Sequence, residues 1–519
     1  MFNIYFDTNQ KVLLLAGTLF LIISIFFYLK KKYKIAIIIL LLGTFALYMF
    51  AALLDPFLNI WDERFHALVA KNIMKHPLMP TLYDDPVVNI LYDRWDRLHI
   101  WLHKQPLFLW QIALSFKIFG VSEFALRLPS ALSGVFLVLI GYRSAKLLVN
   151  QRVGYYTAFL FATSFYIIEL IAGRQELEHN DISFLVNVSG SIWAWIEYIH
   201  SKKKYWIYII GIFSGFAILC KWLVGLLMYL GWIIFNFLSY KWNFSKYKDI
   251  IISLIITTII SLPWQLLIIH KYPTEANLAY EFNIKHFTEA LDGHSGSCWY
   301  HLDQISVLFG RIVPFIILPA FILFYKKIYN KKIFISLITI IFSVYIFFSF
   351  AKTKMPSFTI IAALPIYISL ACFIDYILSY IQDVKLPQLF KQIMIFLFIV
   401  FLGYSRLNVE MLQEKHTQWK KENQYSKMLM NNKTIFESLK NKLPKNTVLF
   451  NVKGRHYIEA MFYTGLPSYN IIPSNEQYND MVSKGKVIAI FNSKKNKLPD
   501  YLENDSTVII INEALKGYD

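Results

Sequence analysis

Apolar runs of about 20 residues recur along this chain, at 11–29, 35–54, 128–147, 152–172, 182–199, 250–269, 304–325, 332–350, 357–377 and 388–404. Shorter ones lie at 106–119, 205–220 and 223–238. A helix of about 20 residues crosses the roughly 30 Å hydrocarbon core of a bilayer, where each backbone polar group must be satisfied within the segment. The runs therefore predict a polytopic α-helical membrane protein of about 13 membrane helices. Composition agrees: of 519 residues 56% are hydrophobic and 17% charged, against about a quarter charged in soluble proteins. Soluble enzyme folds are excluded for most of the length. The net charge of +18 sits largely in short loops between apolar runs, a membrane-sidedness pattern and not a nucleic-acid footprint. Three cysteines, two of them inside apolar runs, show no metal-finger spacing and indicate neither disulfides nor a thiol nucleophile.

The first run lacks a basic leader and a small-residue cleavage site and is followed by Lys30, Lys31, Lys32 and Lys34, so it reads as a retained span. Basic residues favour the cytoplasmic side. Those lysines, Lys202–Lys204, the stretch Lys241–Lys248 and Lys326–Lys332 are expected inside, which puts the loops 55–105, 271–303 and 351–356 outside. Counting crossings between residue 105 and Lys202 comes out one wrong. One segment there is expected to be split or re-entrant, with 128–147 (Pro129, Ser130, Ser133, Gly134) and 152–172 (Thr163, Ser164) as the candidates. The organisation expected is a membrane domain over 1–404 and a small extracytoplasmic α/β domain over 405–519. In the latter, β-rich runs at Thr447–Val452, Val487–Asn492 and Thr507–Ile511 alternate with helical stretches and no Gly-rich nucleotide fingerprint appears.

The outside loops carry the polar residues. Trp61-Asp62-Glu63-Arg64-Phe65-His66 follows a membrane helix. Acids at such a depth are costly unless they pair or work; an ion pair with Arg64 or a helix cap competes with a general base acting on an acceptor. The same loop ends His99-Ile100-Trp101-Leu102-His103-Lys104-Gln105-Pro106. Lys104 fits a phosphate contact or an interfacial anchor, and His99 and His103 at four-residue spacing fit a shared metal or nothing at all. Arg174, Glu176, Glu178 and Asp181 suggest a charged cavity wall, with an Asp181 helix cap as the alternative. Gly293-His294 forms a turn able to present an imidazole, and Trp299 and Tyr300 offer flat faces for sugars or lipid headgroups, or anchor the interface. Lys352 and Lys354 stand on the side that basic residues avoid, which points to anion binding. Near the tail's first strand, Lys453-Gly454-Arg455-His456 reads as a surface turn in preference to one reaching toward the membrane.

In order along the chain these motifs resemble the GT-C polyprenyl-phosphate-sugar glycosyltransferases, in particular the aminoarabinose-transferase and protein O-mannosyltransferase-like group. The matching elements are Asp62-Glu63, Lys104-Gln105-Pro106-Leu107, Arg127-Leu128-Pro129-Ser130, Gly173-Arg174 with Asp181, Gly293-His294 with Trp299-Tyr300, and Lys354-Met355-Pro356, from about Asp55 to Pro365. The chain departs from the pattern at His103 (a glutamate in the aminoarabinose transferases), Phe65 (an arginine) and Phe358 (a tyrosine). The resemblance implies inverting transfer of a sugar from a polyprenyl-phosphate donor to a lipid, glycan or protein acceptor on the extracytoplasmic face of a bacterial inner membrane. It implies Asp62 and Glu63 as catalytic carboxylates, and Lys104, Arg174, Asp181, His294, Tyr300 and Lys354 as donor-phosphate or substrate contacts. No cofactor is certain; a divalent metal ion is the one candidate, with His103 and His294 as its ligands. Membrane lipids are partners and nucleic acid is not. A polytopic transporter or lipid flippase, or a membrane scaffold, is the rival, but the polar residues cluster in loops instead of mid-segment and no internal repeat is apparent.

Overall fold

A computed structural model describes residues 6–89, 94–175, 178–412, 424–492 and 498–516. Helices α1 (Thr8–Leu29) and α2 (Tyr33–Ala52) form an antiparallel hairpin whose turn holds Lys31 at φ 58°. Small residues let the two backbones approach: a Cβ on Gly17 would lie 2.7 Å from Leu47 Cγ. Next come α3 (Asp62–Ile73), α4 (Leu107–Phe119), α5 (Glu123–Leu148), α6 (Gln151–Ala162), α7 (Phe165–Ile171), α8 (Glu178–Ser201), α9 (Tyr205–Lys221), α10 (Leu227–Tyr240), α11 (Lys248–Lys271) and α12 (Pro273–Thr288). The helical body closes with α13 (Tyr300–Asp303), α14 (Ile305–Phe309), α15 (Val313–Lys327), α16 (Lys331–Phe350), α17 (Ala363–Asp383) and α18 (Gln388–Leu407). Among the described residues nine stretches are long and apolar enough to cross a membrane, or up to eleven when each bent pair is one span. The chain is a multi-pass integral membrane protein.

One of the nine, Tyr205–Tyr240, is two passes. At Trp222 (φ 55°) the chain turns back, so that a Cβ on Gly225 would meet the backbone of Ala217 and Ile218 within 3 Å. Lys221 thereby reaches the end of the bundle where Asp181 sits in the first turn of α8, while Lys204 and Lys246 lie at the opposite end.

Of the two candidate segments, helix α5 is continuous through Pro129, whereas 152–172 is split as expected, into α6 and α7 bent by 47° at Thr163–Ser164. The split pair still runs from Arg152, which pairs with Asp375 at one end, to Ala172, whose carbonyl accepts from Asn59 at the other, so the miscounted crossing lies elsewhere. The segment that does not cross is 106–119. Its helix α4 has 13 residues, about 20 Å at 1.5 Å per residue and too short for the core. Both of its ends lie near Asp62: Gln105 just before it bonds Gln265, and after it Glu123 accepts from Lys433, which also bonds the carbonyl of Pro56.

The two sharp bends, 47° in α6–α7 and 86° between α14 and α15, free carbonyls inside the bundle. Arg406 of α18 satisfies both, donating to Leu160 O (2.9 Å) and to Phe309 O (2.7 Å).

After α19 (Gln424–Lys442) the chain forms β1 (Thr447–Phe450), α20 (Tyr457–Thr464), α21 (Asn475–Ser483), β2 (Val487–Phe491) and β3 (Ile509–Ile511). The strands lie in the order β1-β2-β3, all parallel, with Val448 opposite Ile488 and Ala489 opposite Ile509. Parallel strands buried on both faces read as continuous apolar runs, and β1 is buried at every position. This unit does not stand apart. Leu58, Phe65 and Phe108 share one hydrophobic cluster with Phe450, Met461 and Ile490, and Lys71 of α3 donates to Phe462 O at 2.5 Å. The C-terminal sheet thus packs on the short helices α3 and α4 at the same end as Asp62.

Candidate active site

Helix α3 opens with two carboxylates in its first turn, where the helix dipole favours them. Successive helical residues point about 100° apart, so the pair diverges. Asp62 faces a cavity of about 320 Å³, and Glu63 turns into protein.

Glu63 is fully buried and saturated. It accepts from Arg127 Nε (2.7 Å) and Nη2 (2.9 Å) and from Asn59 N (2.6 Å), and His179 Nε2 lies 3.2 Å from it. Gly173 (φ 71°) passes so close that a Cβ there would collide with the carboxylate. Burial alone would raise the carboxyl's pKa, but Arg127 and His179 outweigh it and hold Glu63 below its ordinary value.

Asp62 meets Lys104, delivered by the loop ahead of α4, at 3.2 Å. Burial again pushes upward, and Lys104, with Lys221 beyond it, holds Asp62 below the ordinary 3.8. The carboxylate is ionised at neutral pH. Lys221, at the turn between α9 and α10, brings a second ammonium to the cavity wall; it is paired with buried Asp181 and lies 5.4 Å from the ring centre of Phe358. His66, His103 and His286 stand close by. Burial drives His66 down to about 3, His286 down to about 4 and His103 well below 6.5, each helped by Lys104. These imidazoles are neutral at pH 7, so lysines supply the positive charge. Much of the remaining wall is aromatic, including Phe282, Phe287, Phe347 and Phe348.

Of the residues singled out in sequence, Asp62, Lys104, His103 and His294 line this cavity. Five do not. Glu63 is a buried brace, because its oxygens are spent on Arg127, His179 and Asn59. Arg174 is bound by Asp55 through two hydrogen bonds (2.8 and 2.9 Å) and does not face the cavity. Asp181 stands behind Lys221. Tyr300 packs on Gly296 and edge-on to His301, and Trp299 is exposed away from the cavity. Lys354 is buried and donates to Phe348 O (2.9 Å) and Ser349 O (2.6 Å), capping the C-terminal end of α16 where a cation suits the helix dipole. That explains a lysine on this side without an anion. Glu176 and the side chain of Glu178 lie outside the described residues.

His103 and His294, the candidate metal ligands, line the same cavity. Among the described residues no three His, Cys, Asp or Glu groups come together at a metal-holding distance. His103 is instead stacked on Trp95, 4.2 Å between ring centres and 11° between planes, with Phe282 edge-on to it.

Sequence reading missed Lys221, whose signal was a lone cation between two apolar runs, and Trp61. It also set aside the Lys453–His456 turn, which the fold carries to α3: Arg455 lies over the Trp61 ring at 5.1 Å, and His456 and Arg64 share Glu459.

Residues 103–264 match the family described as dolichyl-phosphate-mannose-protein mannosyltransferase. The chain is 29% identical over 181 residues to an uncharacterized protein of Aquifex aeolicus, covering 34% of this chain and 33% of that one. It is 25% identical over 271 residues to the undecaprenyl phosphate-alpha-4-amino-4-deoxy-L-arabinose arabinosyl transferase 1 of Pseudomonas fluorescens, 50% of this chain and 47% of the relative. It thus spans a third to about half the length of these relatives. Among solved structures, ArnT from Cupriavidus metallidurans bound to undecaprenyl phosphate superposes with TM-score 0.63 at 15% identity, over 86% of this chain and 88% of that one. The oligosaccharyltransferase AglB from Archaeoglobus fulgidus, in complex with an inhibitory peptide and a dolichol-phosphate, gives 0.53 at 10% identity, over 85% and 64%. This chain therefore shares the membrane fold of ArnT and AglB, and its residues 103–264 are similar to the dolichyl-phosphate-mannose-protein mannosyltransferase family.

Proposed function

We propose that this protein is a membrane glycosyltransferase that moves a sugar, with inversion, from a polyprenyl-phosphate donor to a hydroxyl or amine on a lipid, glycan or protein. The observation that carries this is an ionised carboxylate, Asp62, sharing one aromatic-walled cavity with Lys104 and Lys221. The relatives support the donor class: one is an undecaprenyl-phosphate aminoarabinose transferase, and the structural neighbours hold undecaprenyl phosphate or dolichol phosphate. The lysine-bearing turns after α1, α8, α10 and α15 lie at the end opposite the cavity, which supports a cytoplasmic position for them and an extracytoplasmic site, as in a bacterial inner membrane. The C-terminal sheet shares the cavity's side.

An apolar wall suits a polyprenyl tail at the depth where its phosphate needs cations. In the reaction the acceptor oxygen or nitrogen bonds to the anomeric carbon, the bond from that carbon to the phosphate oxygen breaks, and its electron pair leaves with polyprenyl phosphate. Asp62 takes the acceptor's proton. Lys104 has three N–H donors and spends one on Asp62, so the others remain for the leaving oxygen, where charge grows in the transition state. Lys221 faces the same space. A single carboxylate acting on the acceptor inverts the anomeric centre without a covalent intermediate. Glu63, Arg127, His179 and Asn59 hold α3 so that Asp62 points into the cavity.

The test is a transfer assay with purified full-length protein in lipid, offering a panel of polyprenyl-phosphate sugars. Release of polyprenyl phosphate that requires Asp62 is the expected result; no release from any donor by well-folded protein overturns the proposal. Lys104→Ala and Lys221→Met should each raise the donor KM about tenfold to a hundredfold, the worth of a charge-assisted hydrogen bond, and the acceptor KM much less. An unchanged donor KM reduces the lysine to a structural anchor.

The pH profile is a second check. Asp62 acts when deprotonated and its pKa lies below 3.8, while His66 and His286 titrate near 3 and 4. The acid limb of kcat/KM should therefore fall below about pH 4.5. A limb at pH 6 to 7 would assign the base to another group.

A further inference from the structure

The residue just before the base has no role in the scheme above. Trp61 lines the cavity with nearly half of its surface exposed (46%). Its backbone sits at φ 72°, ψ −124°, a conformation that bulky side chains avoid. Such strain persists only where surrounding structure imposes it, and it gathers at sites that hold ligands. Here the imposing structure is visible. The guanidinium of Arg455 lies 5.1 Å over the indole, and Arg455 Nε is itself fixed by the buried carboxylate of Asp96 at 3.1 Å, whose backbone carbonyl accepts from Tyr457 OH. A cation from the C-terminal sheet unit thus pins a tryptophan of the membrane body beside Asp62.

We propose that Trp61 is the sugar platform of this cavity: a pyranose or furanose ring stacks its C–H face on the indole, with Arg455 as the positioning residue that holds the indole in place. The inference rests on the glycosyl-transfer reading. A flat apolar face next to a carboxylate matches a sugar ring, which has one face of C–H bonds and a rim of hydroxyls, better than it matches a phosphate or a lipid tail. Stacking there brings ring hydroxyls within reach of the Asp62 side of the cavity. An aromatic that only anchored the membrane interface would not need a cation from a separate part of the chain. Donor and acceptor can each present a sugar ring, and steady-state kinetics distinguishes them.

The experiment compares full-length wild type, Trp61→Leu, Trp61→Phe and Arg455→Met in lipid, varying a turned-over donor and acceptor separately. Trp61→Leu should raise one KM about tenfold more than it lowers kcat; Trp61→Phe, which keeps an aromatic face, should fall between it and wild type. Arg455→Met should move the same KM in the same direction by about threefold, and it tests the platform should Trp61→Leu fail to fold. A rise in the acceptor KM assigns the stacked ring to the acceptor, and a rise in the donor KM assigns it to the transferred sugar. Unmoved KM values, or a fall in kcat alone, overturn the platform and leave Trp61 an interfacial anchor. Absence of turnover by folded wild type with any donor overturns the transfer reading, and the platform falls with it.

Discussion

Asp62→Asn is expected to lower kcat/KM by about three orders of magnitude, the range lost when a positioned general base is removed, while the protein inserts and purifies as wild type does. Asparagine keeps the shape and one oxygen toward Lys104, so little packing is lost, but it cannot take the acceptor's proton. Asp62 meets Lys104 at 3.2 Å, and its carboxylate lines the cavity. Turnover within tenfold of wild type, measured as polyprenyl phosphate released, would remove Asp62 from the chemistry.

Glu63→Ala should have the opposite profile, a loss of stability out of proportion to any chemical role. It strands Arg127, which is fully buried and, among the described residues, otherwise bonds the carbonyls of Ala52, Asp55 and Phe57. Removing one partner of a buried ion pair costs about 3 to 5 kcal/mol, against a total stability of order 10 kcal/mol for an ordinary domain. The measurement is thermal unfolding in detergent, with Glu63→Gln expected between wild type and Glu63→Ala because the amide still accepts one hydrogen bond. Since the folded pKa of Glu63 is held below 4.5, its contribution is present above about that pH and is lost as pH falls through the depressed value. An unfolding temperature equal to wild type would show that the network is not needed to hold α3.

Two neighbouring acids thus take different parts, and the reason is angular: a rotation of about 100° along α3 sends one to the cavity and the other to Arg127. Sequence reading ranked Asp62 first from the motif order but treated Glu63 as its partner, because a rotation is invisible until the helix is docked. The same holds for Arg174 and Lys354. As isolated cations at a membrane boundary they read as anion binders, yet Asp55 lies 119 residues from Arg174, and Lys354 finds its carbonyls only once α16 ends beside it.

By itself the sequence determined the membrane class, the placement of most spans, the sidedness pattern of the lysine loops, and the order of motifs that led to Asp62 and Lys104. These rest on local composition, since burying a 20-residue apolar helix in lipid depends little on distant contacts. Tertiary structure decided what depends on partners far apart in the chain. It made α4 lie at one end instead of crossing, turned the chain back at Trp222 so that Lys221 joins the cavity, packed the C-terminal sheet onto α3, and laid Arg455 over Trp61. Each of these is a choice among neighbours, and a charge or ring acquires its role from the group that the fold sets against it.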